Sequence, residues 1–175
     1  IFITVLKGSV SDGFILFSPL PNQATSSGYK TILMDNDGEI INQWNFDCKP
    51  VTITYILPDS NLVVPCTQND IPGLDGNYFS GGRILKLAWD GEVLWDDIFI
   101  DETYEPHHDI EPMKNGNILF VTYEERSYEE ALAAGRISIS DEIWPSKIIE
   151  ISQISIDSSQ VVWEWSLWDH IIQDV

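Results

Sequence analysis

The sequence predicts an all-β protein built from repeated antiparallel hairpins. Three observations carry that prediction. Apolar and polar residues alternate over short runs, tight-turn dipeptides separate the runs, and the pattern recurs at a spacing of roughly 55 residues. One hairpin type joins two strands through an acidic turn, and its second strand carries tryptophan. Its copies are 29–34 with 39–44 around Asp35-Asn36-Asp37-Gly38, 83–88 with 92–95 around Trp89-Asp90-Gly91, and 147–151 with 160–165 around a looser turn at Asp157-Ser158-Ser159. Glycine after aspartate tolerates the positive φ that such a turn demands. A second hairpin type lies between them. It comprises 53–57 with 62–64 around Pro58-Asp59-Ser60-Asn61, and 108–113 with 118–121 around Lys114-Asn115-Gly116-Asn117, and 13–17 resembles a shortened copy.

Two hairpins make a four-stranded unit, and four-stranded units repeating at this interval predict a β-propeller. About three blades are expected, at residues 1–50, 51–103 and 104–168, with a further blade beginning at 169–175. Because propellers have about 4 to 8 blades, the chain is expected to be part of a longer protein. The apolar run that starts at Ile1 is too short for a signal peptide and lacks its basic lead, and without an initiator Met the N-terminus is expected to be processed or incomplete. Trp44, Trp95 and Trp163 close equivalent strands and are expected between blades. Residues 124–142 are the only stretch of helical composition. They are expected to form a loop or short helix above the blade, serving as filler or as a pocket wall. Gly81-Gly82 marks entry to a strand.

Charge excludes some functions. The net charge is −19, from 28 acidic and 9 basic residues, and such a surface repels phosphate backbones, so nucleic acid is not an expected partner. No apolar run approaches the roughly 20 residues of a membrane-spanning helix. Cys48 and Cys66 lack zinc-site spacing, and a disulfide between them stays open. Asp35, Asp37, Asp90 and Asp157 recur at turns, but one or two carboxylates per turn are too few for calcium. Turn chemistry explains them, and no metal site is expected.

The candidate site is His107-His108-Asp109, ahead of the 114–117 turn. Histidine titrates near neutral pH and serves as base, nucleophile or ligand. Alternation along the strand sends only one of the pair into a propeller channel at a given depth. His108 is the expected channel residue, as donor or base, and His107 a supporting group at the rim. A structural pair capping the blade is the alternative. Asp109 or Glu105 would orient an imidazole, or Asp109 would cap backbone. His170, in Trp168-Asp169-His170, is a second channel candidate or a packed residue. Arg126 and Arg136 are candidates for sulfate or phosphate oxygens. A surface pair of these arginines with neighbouring Glu124 and Glu125 is the competing reading.

These segments together resemble the arylsulfotransferase family. The resemblance rests on residues 13–19, on 33–40 with Trp44, on 82–91, on 107–112 with 115–117, and on 162–170, so it covers most of the chain. The Asp-Gly hairpins are shared with quinoprotein-like propellers, whereas His107-His108-Asp109 and Trp168-Asp169-His170 are more specific. The resemblance implies a six-bladed propeller, with this chain as its N-terminal half. It also implies sulfuryl transfer from an aryl sulfate to a phenol through a transient carrier histidine in the channel. Other histidines and an arginine would hold the sulfate oxygens, and no cofactor would be needed. The carrier itself is expected beyond Val175, and the location is expected to be periplasmic or extracellular. The alternative function is a non-catalytic propeller serving as a binding or assembly module, with self-assembly if the chain is complete at this length. A quinone-cofactor dehydrogenase is weaker, because the acidic metal site it needs is not visible.

Overall fold

A computed structural model describes residues 11–19, 28–51, 53–68, 81–100 and 104–171. Their strands are β1 (Phe14–Phe17), β2 (Tyr29–Asp35), β3 (Ile40–Phe46), β4 (Tyr55–Ile56), β5 (Leu62–Thr67), β6 (Gly82–Leu87), β7 (Val93–Ile98), β8 (Tyr104–Pro112), β9 (Ile118–Glu124), β10 (Ser146–Ser155) and β11 (Ser158–Ser166). One short helix, α1 (Tyr128–Ala133), and a 3₁₀ turn, Leu167–His170, complete them. The protein is all-β in class. Three antiparallel meanders follow one another along the chain: β1-β2-β3, β4-β5-β6-β7 and β8-β9-β10-β11.

Turn chemistry sets these meanders. In the 35–39 turn, Asp35 N–H donates to Glu39 O and Gly38 N–H to Asp35 O. The same pair recurs from Ala88 to Glu92 and from Met113 to Asn117. Gly38, Gly91 and Gly116 hold φ of 87°, 92° and 89° there, a region that costs a side-chain-bearing residue about 1 kcal/mol. The third acidic turn is tighter than the sequence suggests. Ser155 pairs with Ser158, so β10 and β11 run further than expected and Ile156-Asp157 alone make the bend.

The middle sheet is buried on both faces because its strands are apolar on both. Leu62, Val64, Cys66, Leu85 and Leu87 join Leu33 and Trp44 in one core. Val63, Ile84, Trp95 and Phe99 join Ile110, Ile118, Phe120, Ile149 and Ile151 in the other. Trp44 and Trp95 are each 1% exposed, so truncating either to alanine should cost about 3–5 kcal/mol. Trp163 departs from expectation: it is 46% exposed. It lies on the outward face of the third sheet, which no further sheet covers among the described residues. Cys48 and Cys66 form a disulfide with Cα atoms 5.6 Å apart. It ties the segment after β3 to β5, inside the first core.

Candidate functional site

The edge strand β8 is broken at the histidines. Pro106 pairs with Thr122 and Ile110 with Phe120 on β9, so His107, His108 and Asp109 together oppose Val121 alone. Alternation therefore does not govern this segment, and the expected in-or-out choice between the two histidines does not apply. His108 takes the left-handed conformation, φ 63°, which non-glycine residues adopt at a cost. Its residue is exposed, whereas His107 is half-buried. The two rings meet edge to face with centroids 4.8 Å apart. His107 stacks on Tyr123 at 3.9 Å.

The break has a counterpart in the second sheet. Pro50 bridges Cys66, Val51 N–H donates to Pro65 O, and pairing resumes at Tyr55 with Val63. The interruption thus belongs to the architecture. Among the described residues of the two breaks, the histidines and the left-handed residue belong to the third sheet. Gly81 anchors the shoulder of the break by donating its N–H to Pro106 O at 2.8 Å. A Cβ at Gly81 would stand 3.0 Å from that same oxygen, which explains a glycine there.

His107 sits in an apolar slot. Both ring nitrogens are buried with no hydrogen-bond partner among the described residues. Burial first, and the neighbouring His108 second, pull His107 from the ordinary 6.5 down to about 4. It is a neutral imidazole at physiological pH. A cavity of about 20 Å³ lies between the second and third sheets, bounded by His107, His108, Asp109, Gly82, Ile84 and Phe99. Such a volume holds about one water molecule. Any larger ligand must meet His108 from its exposed side.

Asp109 caps backbone and takes a partner from the neighbouring sheet. Both its carboxylate oxygens lie 2.9 Å from the hydroxyl of Tyr55, which donates across from β4, and Oδ1 also accepts from Ile110 N–H at 2.8 Å. Burial, then the hydrogen bond to Asp109, push the Tyr55 phenol up to about 12. Tyr55 is a site neighbour that the sequence reading did not single out. It precedes a short strand and carries no motif. Glu105 is 2% exposed and pairs across β9 with Tyr123.

The remaining candidates lie apart from the cavity. Arg126 Nη2 pairs with Glu124 at 2.8 Å and Nη1 with Glu130 at 3.5 Å, and its guanidinium lies 5.5 Å from the Trp168 ring centre. Its charge is committed to carboxylates, Glu124 included. Arg136 follows α1, where its N–H donates to Ala131 O. The helix forms because Ser127 caps it: Ser127 Oγ accepts from Glu130 N–H, and Glu130 Oε2 accepts from Ser127 N–H. No residue of 124–142 bounds the cavity. His170 stacks on Trp165 at 4.7 Å, with Nδ1 2.9 Å from Ser166 O.

A wider groove of about 530 Å³ is lined by Gln68, Arg83, Asp96, Asp97, Ile98 and Asp157. Arg83 is its only cation among the described residues, and it forks onto Asp96 at 2.6 and 2.8 Å and reaches Asp47 at 3.0 Å. These carboxylates hold the guanidinium charged but leave the groove acidic, so it repels a sulfate. Among the described residues no group of three or more His, Cys, Asp or Glu side chains is placed to hold a metal ion. No described helix is long and apolar enough to cross a membrane. Comparison of the chain with protein-family models, with curated proteins and with solved structures finds no match.

Proposed function

We propose that the break at His107-His108-Asp109 carries sulfuryl transfer from an aryl sulfate to a phenolic acceptor, on a β-propeller of which the three sheets are consecutive blades. The observation that carries this reading is His108, an exposed imidazole presented by a left-handed residue at an interruption of an edge strand. Strained, bulged backbone concentrates at functional sites. The family resemblance supplies the reaction class, and the step at His108 is a direct displacement that does not pass through the carrier histidine expected beyond Val175. A neutral His108 would take the proton of the phenol as its oxygen bonds to sulfur. The bond from sulfur to the donor oxygen breaks, and the aryloxide leaves with the electron pair. In its protonated form His108 would donate to the sulfate oxygens. His107, kept neutral, adds no charge and buttresses the His108 ring. Arg126, Arg136 and His170 remain proposals for substrate contact that require approach from outside the cavity.

The three meanders, packed face to face along the chain, support the propeller reading. The disulfide supports an oxidising location, periplasmic or extracellular. The test is turnover of an aryl sulfate with a phenol acceptor. His108→Ala should lower it at least about 100-fold, the usual contribution of a positioned acid or base, with circular dichroism unchanged. Equal turnover in the variant would remove His108 from the mechanism.

A second reading, a non-catalytic binding or assembly module, is favoured by one observation. The outward face of the third sheet presents Trp163 to solvent.

A further inference from the structure

The two sheet junctions share one pattern. The last strand of each sheet meets the outer turn of the next. Across the first junction, Asn42 Nδ2 donates to Trp89 O at 2.7 Å and Trp44 Nε1 donates to Ala88 O at 2.8 Å. Across the second, Trp95 Nε1 donates to Ser159 Oγ at 3.1 Å, Ser159 Oγ donates to Asp97 at 2.6 Å, and Asp96 N–H donates to Ile156 O at 2.7 Å. The contacting side chains also keep one register. Each last strand has a single extra residue, Ile41, Leu94 or Val162, where its pairing shifts. Contacts come from the first and third positions beyond it: Asn42 and Trp44, then Trp95 and Asp97.

In β11 those positions are Trp163 and Trp165. Trp163 is 46% exposed where Trp95, at the same position, is 1%. Their face continues inward through cross-strand neighbours: Trp165 opposes Ile148 and Ile148 opposes Val121, while Trp163 opposes Glu150 and Glu150 opposes Leu119. Ile148, Val121 and Leu119 are only half-buried. The third sheet thus repeats the donor half of a junction that the chain builds twice.

The acceptor half stands at the other end. Outer turns of the second and third sheets seat on β3 and β7. The 35–39 turn of the first sheet has the same backbone hydrogen bonds as the 88–92 turn, and no sheet precedes it among the described residues. We propose that the outward face of the third sheet seats the 35–39 turn and first sheet of a second copy of this chain, so that copies associate head to tail. Such a contact is heterologous, and it closes a ring or propagates. This holds whether or not the histidines turn over an aryl sulfate.

Charge sets its conditions. Each copy carries −19, and the proposed docking would bring Asp35, Asp37 and Glu39 toward Glu150. Association should therefore strengthen as salt screens the repulsion. The test is the light-scattering mass of the 175-residue chain across concentration, at low and at high salt. The expected result is a mass that climbs above the monomer with concentration, more so at high salt. Trp163→Asp should weaken association about tenfold or more, as loss of a central tryptophan does, with unchanged circular dichroism because the side chain is exposed. A monomer under every condition overturns the proposal. So does association that Trp163→Asp leaves intact.

Discussion

His108 and Ser60 are the non-glycine residues at positive φ among those described. Ser60 lies in the 58–61 turn, where local geometry explains it. His108 has no turn to serve, and a glycine would hold the same backbone without strain. His108→Gly should therefore stabilise the fold by about 1 kcal/mol while abolishing any chemistry of the ring. Denaturant unfolding would check the gain, and a loss of stability would mean that the ring is structural. His107 makes an opposite case. Its folded-state value lies below its unfolded one, so the folded state binds fewer protons between about pH 6.5 and 4. Stability from this residue is complete above 6.5 and is lost as pH falls toward 4. The loss should be on the order of 1–2 kcal/mol, discounted because the ring is only half-buried. His107→Phe keeps the stack on Tyr123 and removes two unsatisfied nitrogens. It should gain about 1–3 kcal/mol at neutral pH, and the gap should widen in acid. A gap that narrows below pH 6 would show that His107 finds a charge partner.

At the scale of elements, much was legible. The hairpins could be read because Asp-Gly and Asn-Gly dictate a local backbone, whatever packs around it. The short helix could be read from its composition, and its start follows from the Ser127–Glu130 cap. The break in β8 was not legible. Three residues oppose one only because pairing resumes at Ile110, and that depends on β9 rather than on local preference. Adjacency in sequence makes Asp109 a partner for imidazole or for backbone, and the backbone contact to Ile110 N–H follows from that adjacency, whereas Tyr55 is 54 positions away and reaches it only through the packed sheets. By its place in the hairpin, Trp163 belongs with Trp44 and Trp95. Burial, however, requires a neighbouring sheet that a periodic pattern does not itself supply. The disulfide is also an element-level feature, since it fixes β5 to the segment leaving β3. Reducing it should lower stability by about 2–4 kcal/mol. The check is the melting temperature with and without reductant, and an unchanged value would mean that the bridge adds nothing to the first core.

On the scale of the whole molecule, three meanders share two cores, and the same junction recurs between them. Such repetition places corresponding backbone features at corresponding ends of each sheet. The second and third sheets are both interrupted in their first strand, but only the third fills the gap with imidazoles. Architecture therefore supplies the interruption and sequence supplies the chemistry. The −19 charge bears on both proposals. It disfavours anionic substrates at long range, so an aryl sulfate must be held by groups close to His108, and turnover should improve as salt screens the field. The most direct measurement is sulfuryl transfer from an aryl sulfate to a phenol by the native chain and by His108→Gly, side by side. The account predicts transfer by the native chain and its loss, about 100-fold or more, in a variant that is folded and at least as stable. Equal rates in the two proteins, or no transfer by either, would contradict it.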